Sequence, residues 1–205
     1  MLGNGRLNAF MKRRMLALLL ALFSLPALAQ LQLNNQQLGT SLNRVTAATQ
    51  GSYFSLPAFF PNYTWQTVPS SATAISINLE GSIDGRQVAD AAMTASSATL
   101  SSASGAFTVA DVGKVVYVNN AGTSGATLIT TIASVTNATT AVLSAAASRT
   151  VSGAGAMWGT WAVLDNSTTA GGEVRHVVNK PVKYLRCNLI SLTGTNASAY
   201  ITVYK

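Results

Sequence analysis

The stretch SINLEGSIDGR, Ser76 to Arg86, decides how the chain is read. Polar and apolar residues alternate from Ser76 to Leu79, and Asp84-Gly85 suits a two-residue hairpin loop. The residues that follow, QVADAAMTASSATLSSASG, are small and polar, with little that could pair as a half-buried strand. The partner strand of this hairpin is therefore sought elsewhere in the chain.

Composition locates it. Residues 65–86 and 158–205 carry the large side chains and most of the charges, whereas residues 87–157 are almost all Ala, Ser, Thr, Gly and Val. A composition break on both sides of a segment indicates an insertion, and a hairpin tip tolerates one because the parent backbone need not move. The missing strand is then GTWAVLD, Gly159 to Asp165, beyond the insert.

The rest of the chain after Trp65 reads as β structure. Runs such as TAISINLEG, KVVYV, TLITTIASV, VKYLRCNLISL and AYITVYK are rich in Val, Ile, Thr and Tyr and are separated by Gly, Asn and Ser clusters. No sustained helical period follows residue 29. The expected fold is all-β: an antiparallel β-sandwich of residues 62–86 plus 158–205, with a second small all-β module, 87–157, inserted in its hairpin.

Ahead of this lie two other segments. MKRRMLALLLALFSLPALAQ has a positive start at Lys12, Arg13 and Arg14, an apolar run from Met15 to Leu25, and Ala27-Leu28-Ala29 as a cleavage signature. Residues 1–29 are expected to be a signal peptide cut before Gln30, or else a hydrophobic anchor helix, with the start at Met1 or Met11. Residues 30–61 are expected to form an extended arm, with Gln30 to Gln50 extended or disordered. The ring-rich SYFSLPAFFPNYTW closes the arm; its rings either pack the arm onto the domain or expose Phe59, Phe60 and Tyr63 to a partner.

Charge excludes one class of partner. The chain has 13 Lys and Arg against 6 Asp and Glu, but Arg6, Lys12, Arg13 and Arg14 all lie in the first fourteen residues. What remains is too sparse for a nucleic-acid footprint, which needs basic residues clustered on one face. The single Cys187 shares a strand face with Leu185 and Leu189, which argues burial over reactivity.

Few residues are available for catalysis. The only histidine, His176, shares a face with Val174 and Val178 and reads as a partly buried ring. With one His and one Cys, neither a metal site nor a nucleophile triad is easily assembled. Asp84, Asp90 and Asp111 are assigned to turns, and Asp165 to the start of a loop. Glu80 and Glu173 are left as the carboxylates a glycan-cleaving enzyme could use, or as cross-strand partners of Arg175 or Arg186, worth well under about 1 kcal/mol where exposed. No catalytic residue, cofactor site or metal site is assigned. Of Trp158 and Trp161, three apart, one could face solvent and stack on a sugar, with Trp158 named for that role, or both could be buried.

Two resemblances follow from these residues. The flanks carry a LEGS-x-DG hairpin (Leu79 to Gly85), a Trp strand at Trp161, a KPV-x-Y-x-R-x-N strand (Lys180 to Asn188) and an LTG turn with its closing strand (Leu192 to Gly194, then Ala199 to Tyr204). This pattern resembles a β-sandwich domain of tailed-phage virion and prophage proteins. The insert, with Phe107-Thr-Val-Ala-Asp-Val-Gly-Lys114, resembles a small β module of phage tail spikes and tail fibres, in which Asp111 and Gly113 make the turn, Phe107 and Val112 seat it, and Val115 to Val118 form a strand.

The resemblance implies a non-enzymatic structural subunit of a virion or phage-derived particle: a capsid decoration, head-fibre or tail-appendage protein. Its partners would be other virion subunits, further copies of itself and possible cell-surface glycans. The signal-like leader suggests the alternative, an exported periplasmic or cell-surface protein that binds a glycan or a protein.

Overall fold

The computed structural model describes residues 35–56 and 60–204. The expected leader, residues 1–29, and the site residue Phe59 lie outside the described residues.

Among the described residues, fifteen strands follow in chain order. The first four are β1 (Asn35–Val45), β2 (Thr49–Gln50), β3 (Phe54–Ser55) and β4 (Asn62–Ser70). Next come β5 (Ala74–Ser82), β6 (Arg86–Met93), β7 (Thr99–Ser101), β8 (Val115–Val118), β9 (Leu128–Asn137), β10 (Thr140–Leu143) and β11 (Val151–Gly159). The last are β12 (Ala162–Ser167), β13 (Glu173–Val177), β14 (Tyr184–Thr193) and β15 (Asn196–Tyr204). The fold is all-β. The only helical pieces among the described residues are two single turns, Val109–Asp111 and Thr123–Gly125.

One sheet runs β1-β15-β4-β13 and another β12-β5-β14-β2, with β3 also on β14. They share one apolar core: Leu42, Tyr63, Trp65, Ile201 and Val203 from the first meet Ile77, Leu79, Leu185, Cys187 and Leu189 from the second. Alternation on β4, β5 and β14 turns these side chains inward, and each fully buried large apolar one is worth about 1.5–3 kcal/mol.

The opening stretch does pair with the strand beyond the insert. Ala162 lies opposite Gly81, Val163 opposite Glu80 and Asp165 opposite Leu79. Asp84-Gly85, however, is not a hairpin loop. The chain runs through it from β5 into β6, and β6 pairs with β11 as β5 pairs with β12, so the antiparallel ribbon crosses from the sheet into a closed six-stranded barrel, β10-β7-β6-β11-β8-β9.

Strand β6 corrects the reading of QVADAAM as a non-strand. Ala91 and Met93 point into the barrel, where small side chains leave room for Leu100, Phe107, Ile132 and Trp158. The interior of a small barrel is filled by mixing sizes, so β6 need not be rich in large residues.

Of the two readings of the polar segment after Gln30, Asn35–Val45 takes the extended one, now paired into a sheet. It is an edge strand, in antiparallel register from Asn35 opposite Tyr204 to Val45 opposite Ala197, with three irregularities. Backbone pairing holds it, and Leu42 supplies its buried anchor. With Leu38 and Val45 only partly buried beside Leu42, and three register shifts along it, the strand carries too weak an alternation to be read from sequence.

Candidate functional site

The residues of the two quoted patterns converge where the ribbon leaves the sheets. Arg186 on β14 lies opposite Glu80 on β5 and is buried with it. Its Nε and Nη2 lie 2.8 and 2.7 Å from Glu80 Oε2. Asn188 Nδ2 donates to Glu80 Oε1 at 2.9 Å, which engages both carboxylate oxygens. Arg186 Nη1 donates to Gln50 Oε1 at 2.8 Å and to the Tyr117 hydroxyl. The guanidinium also lies 4.1 Å from the ring centre of Trp161, a cation–π contact. The cross-strand pairing of Glu80 with Arg186 is thus present, and it is buried rather than at the surface.

A second network ties the insert to the ribbon. Lys114 Nζ lies 3.0 Å from both Asp84 Oδ2 and Asp111 Oδ1. Asp84 further accepts from Thr160 N at 2.8 Å, Thr160 Oγ1 at 2.9 Å and Ser82 Oγ at 3.0 Å. Burial alone would raise the Asp84 carboxyl, but these donors outweigh it and hold the group down at about 2. Asp111 caps its own turn, accepting from Thr108 N at 2.8 Å, and is likewise held low against burial by Thr108 and Lys114. Between the two networks opens a cleft of about 440 Å³, walled by Ala110, Val112, Lys114, Trp161 and Arg186.

A shallower groove lies along the open edges β12 and β13. Arg175 makes a bidentate pair with Asp165, 2.7 Å at each oxygen, and Trp65 Nε1 donates to Asp165 Oδ2 at 3.0 Å. Asp165 is a strand residue and an ion-pair partner, not a loop start. Glu173 accepts from Ser167 Oγ at 2.6 Å and lies 3.4 Å from Arg175. Asp90 accepts from Ser102 Oγ and from Ser104 N and Oγ at 2.9 and 2.8 Å, so all six Asp and Glu side chains have donors, and Glu80 and Glu173 belong to separate networks. Among the described residues no group of three or more His, Cys, Asp or Glu is placed to hold a metal ion.

The residues nominated for a partner are placed differently from that reading. Phe60, Tyr63 and Trp158 are all buried. The Tyr63 hydroxyl donates to the carbonyls of Phe60 and Lys180, and Trp158 packs on Phe107 inside the barrel, ring centres 4.6 Å apart. Buried rings offer no face to a partner, so these three are corrected to core residues. Trp161 is half-buried, its face taken by Arg186.

His176 is exposed, with Val174 and Val178 beside it at 54% and 56% exposure. The alternation was read correctly, but its two faces were exchanged, because Val177 is the inward residue on β13. His176 Nδ1 lies 2.9 Å from Thr64 Oγ1. Phe107 is buried and β8 covers Val115–Val118 as expected, whereas Val112 is 48% exposed and seats nothing.

Sequence reasoning missed Gln50, Tyr117 and Arg186 as members of one buried network. The signal available was register: Glu80 and Arg186 belong to the two strands of the quoted flank pattern.

No family model matches the chain, and no curated protein matches it. Among solved structures it is similar to the SPBc2 prophage-derived protein YomS (TM-score 0.31, 13% identity, 83% of this chain and 95% of that one). It is also similar to the phage phi92 endosialidase (TM-score 0.24, 21% identity, 46% of this chain and 14% of that one). A third is the VP16-VP17 complex of the two major capsid proteins of bacteriophage P23-77 (TM-score 0.18, 10% identity, 80% and 94%).

Proposed function

We propose that this chain is a non-enzymatic structural subunit of a virion or phage-derived particle, acting by assembly and display. In this reading the two sheets form a sandwich-like base and residues 87–157 are a guest module held outward as a decoration, head-fibre or tail-appendage element. The observation that carries it is the double tie at the ribbon. Lys114 of the insert pairs with Asp84 of the flank, and Tyr117 of the insert receives Arg186 of the flank, so the barrel is fixed to its base. A fixed orientation is what a display element requires. The engagement of all six carboxylates in structural contacts supports a role without catalysis.

The test is quantitative mass spectrometry of purified particles from cells that express the gene. A copy number stoichiometric with other particle subunits supports the reading, and absence of the chain from intact particles overturns it.

The leader motivates a second reading, an exported periplasmic or cell-surface binding protein. Lys12 to Ala29 has the charge, apolar run and A-x-A ending of a cleaved signal. A mature N-terminus at Gln30 in a periplasmic or surface fraction favours it over the virion reading.

A further inference from the structure

A third groove, of about 400 Å³, lies where the barrel meets the chain around β2 and β3, a volume within the ~300–1,000 Å³ usual for small-molecule sites. Gln50 and Tyr53 come from the sheet side, and Gln87, Asn119 and Thr127 from the barrel. Its lining contains no Lys, Arg, His, Asp or Glu.

One polar group in this groove has its orientation set by its partner. Arg186 has only donors, so its bond to Gln50 must be made to Oε1, and Gln50 Nε2 remains as a donor. The Gln87 side-chain amide bonds the Tyr53 hydroxyl at 3.1 Å, which leaves it a donor or an acceptor for a further bond. Thr127 Oγ1 lies 3.5 Å from the Asn119 side-chain amide, which keeps a donor or an acceptor for a further bond. Tyr53, half-buried, is braced edge-on by Tyr117 and Tyr184 at 5.0 and 6.0 Å. The groove thus combines an aromatic ring with one fixed amide donor and two amides that can donate or accept, all uncharged.

That chemistry selects a class of ligand. A charged ligand would lose hydration with no counter-charge in the lining to replace it, because Arg186 is already neutralised by Glu80. A purely apolar ligand would cover the amides without bonding them, leaving buried polar groups unpaired. Hydroxyl groups both donate and accept, and the C–H face of a sugar ring packs on an aromatic side chain. We propose that this groove binds a neutral oligosaccharide, with Tyr53 as platform and Gln50, Gln87 and Asn119 as hydrogen-bonding partners. The site goes beyond the structural role and does not depend on it.

The test is NMR on the purified full-length chain. The probes are neutral oligosaccharides of glucose, galactose, mannose and N-acetylhexosamine, with sialylated oligosaccharides and a Gln/Asn-rich peptide for comparison. Expected are saturation transfer to one or more neutral members and shifts of the Gln50, Gln87 and Asn119 side-chain amides. Gln87→Ala and Asn119→Ala, both at exposed positions, should each weaken binding by about 3- to 10-fold, the value of one neutral hydrogen bond. Ser152→Ala, at an exposed barrel position outside the groove, should leave it unchanged. No amide shift with any neutral member, or stronger shifts with the sialylated probes or the peptide, overturns the proposal. Particle stoichiometry is measured separately, so failure of either reading leaves the other standing.

Discussion

Lys114 Nζ and Asp84 Oδ2 lie 3.0 Å apart, joining a lysine of the inserted barrel to an aspartate of the segment that leads into it. The pair sits where β5 becomes β6, and Thr160, at the return from β11 to β12, donates to the same carboxylate through both its backbone and its hydroxyl. One side chain therefore clasps the outgoing strand, the returning strand and the barrel.

Asp84→Asn should lower stability by about 1 kcal/mol at neutral pH, a value limited by the 37% exposure of the aspartate side chain. The folded carboxyl titrates at about 2, below its ordinary 3.8. Its contribution is complete above about pH 4 and is lost as pH falls towards 2. Urea denaturation across this range should show a shallower acid loss in Asp84→Asn than in the parent. Parallel profiles for the two proteins would show that Asp84 is not the group responsible.

Gly85 follows Asp84, and its role is close approach, not turn geometry. A Cβ there would lie 2.4 Å from Tyr184 Cδ2 and 3.1 Å from Met157 Cε, and Tyr184 and Met157 are both buried. Gly85→Ala should cost about 1–3 kcal/mol by overpacking. Coupling it with Tyr184→Leu, which removes the opposing ring, should make Gly85→Ala markedly cheaper in the double variant. Equal costs in the two backgrounds, measured by thermal or denaturant unfolding, would rule out the steric account.

Much of the strand content was legible because Ile75, Ile77 and Leu79, and Leu185, Cys187 and Leu189, alternate with more polar neighbours, and period two is a local signal. The pairing of β5 with β12 was legible from the change in composition at residues 87 and 157. Barrel closure was not, since Ala91 and Ala156 are inward residues whose small size makes sense only once Trp158 and Phe107 are seen to share the interior. The pairing of Glu80 with Arg186 was legible as one option, but its burial was not, for a similar reason. On β14, Arg186 and Asn188 alternate with the core residues as an exposed polar face would, and Tyr117 of the barrel, packed on Arg186, makes that position an interior one.

Cys187 is fully buried between Leu185 and Leu189 on its strand face, and burial pushes its thiol well above the ordinary range, only partly offset by its hydrogen bond with Ser41. A thiol held protonated and out of solvent is a poor nucleophile. Under native conditions a thiol reagent such as dithionitrobenzoate should label it no faster than the protein opens, and guanidinium should release the full signal. Rapid native labelling would place Cys187 at an accessible position. Cys187→Ala should fold and cost about 1 kcal/mol for the lost sulfur packing.

The Glu80–Arg186 pair gives the sharpest energetic test of how the barrel is seated. Removing one member leaves the other charge buried, so Arg186→Met should cost about 3–5 kcal/mol, a large part of the stability of an ordinary domain. Glu80→Gln is the milder probe, since it keeps an acceptor for Asn188 or Arg186 and keeps the shape of the side chain. In the double variant no charge is stranded. Its cost should therefore fall below the sum of the two single costs by about 2 kcal/mol, within the range seen for residues in one network. The double variant should not recover the parent stability, because Gln50 and Tyr117 lose their shared donor. Additive costs in a denaturant-unfolding cycle would mean that the two charges are solvated independently and that the barrel does not close over them.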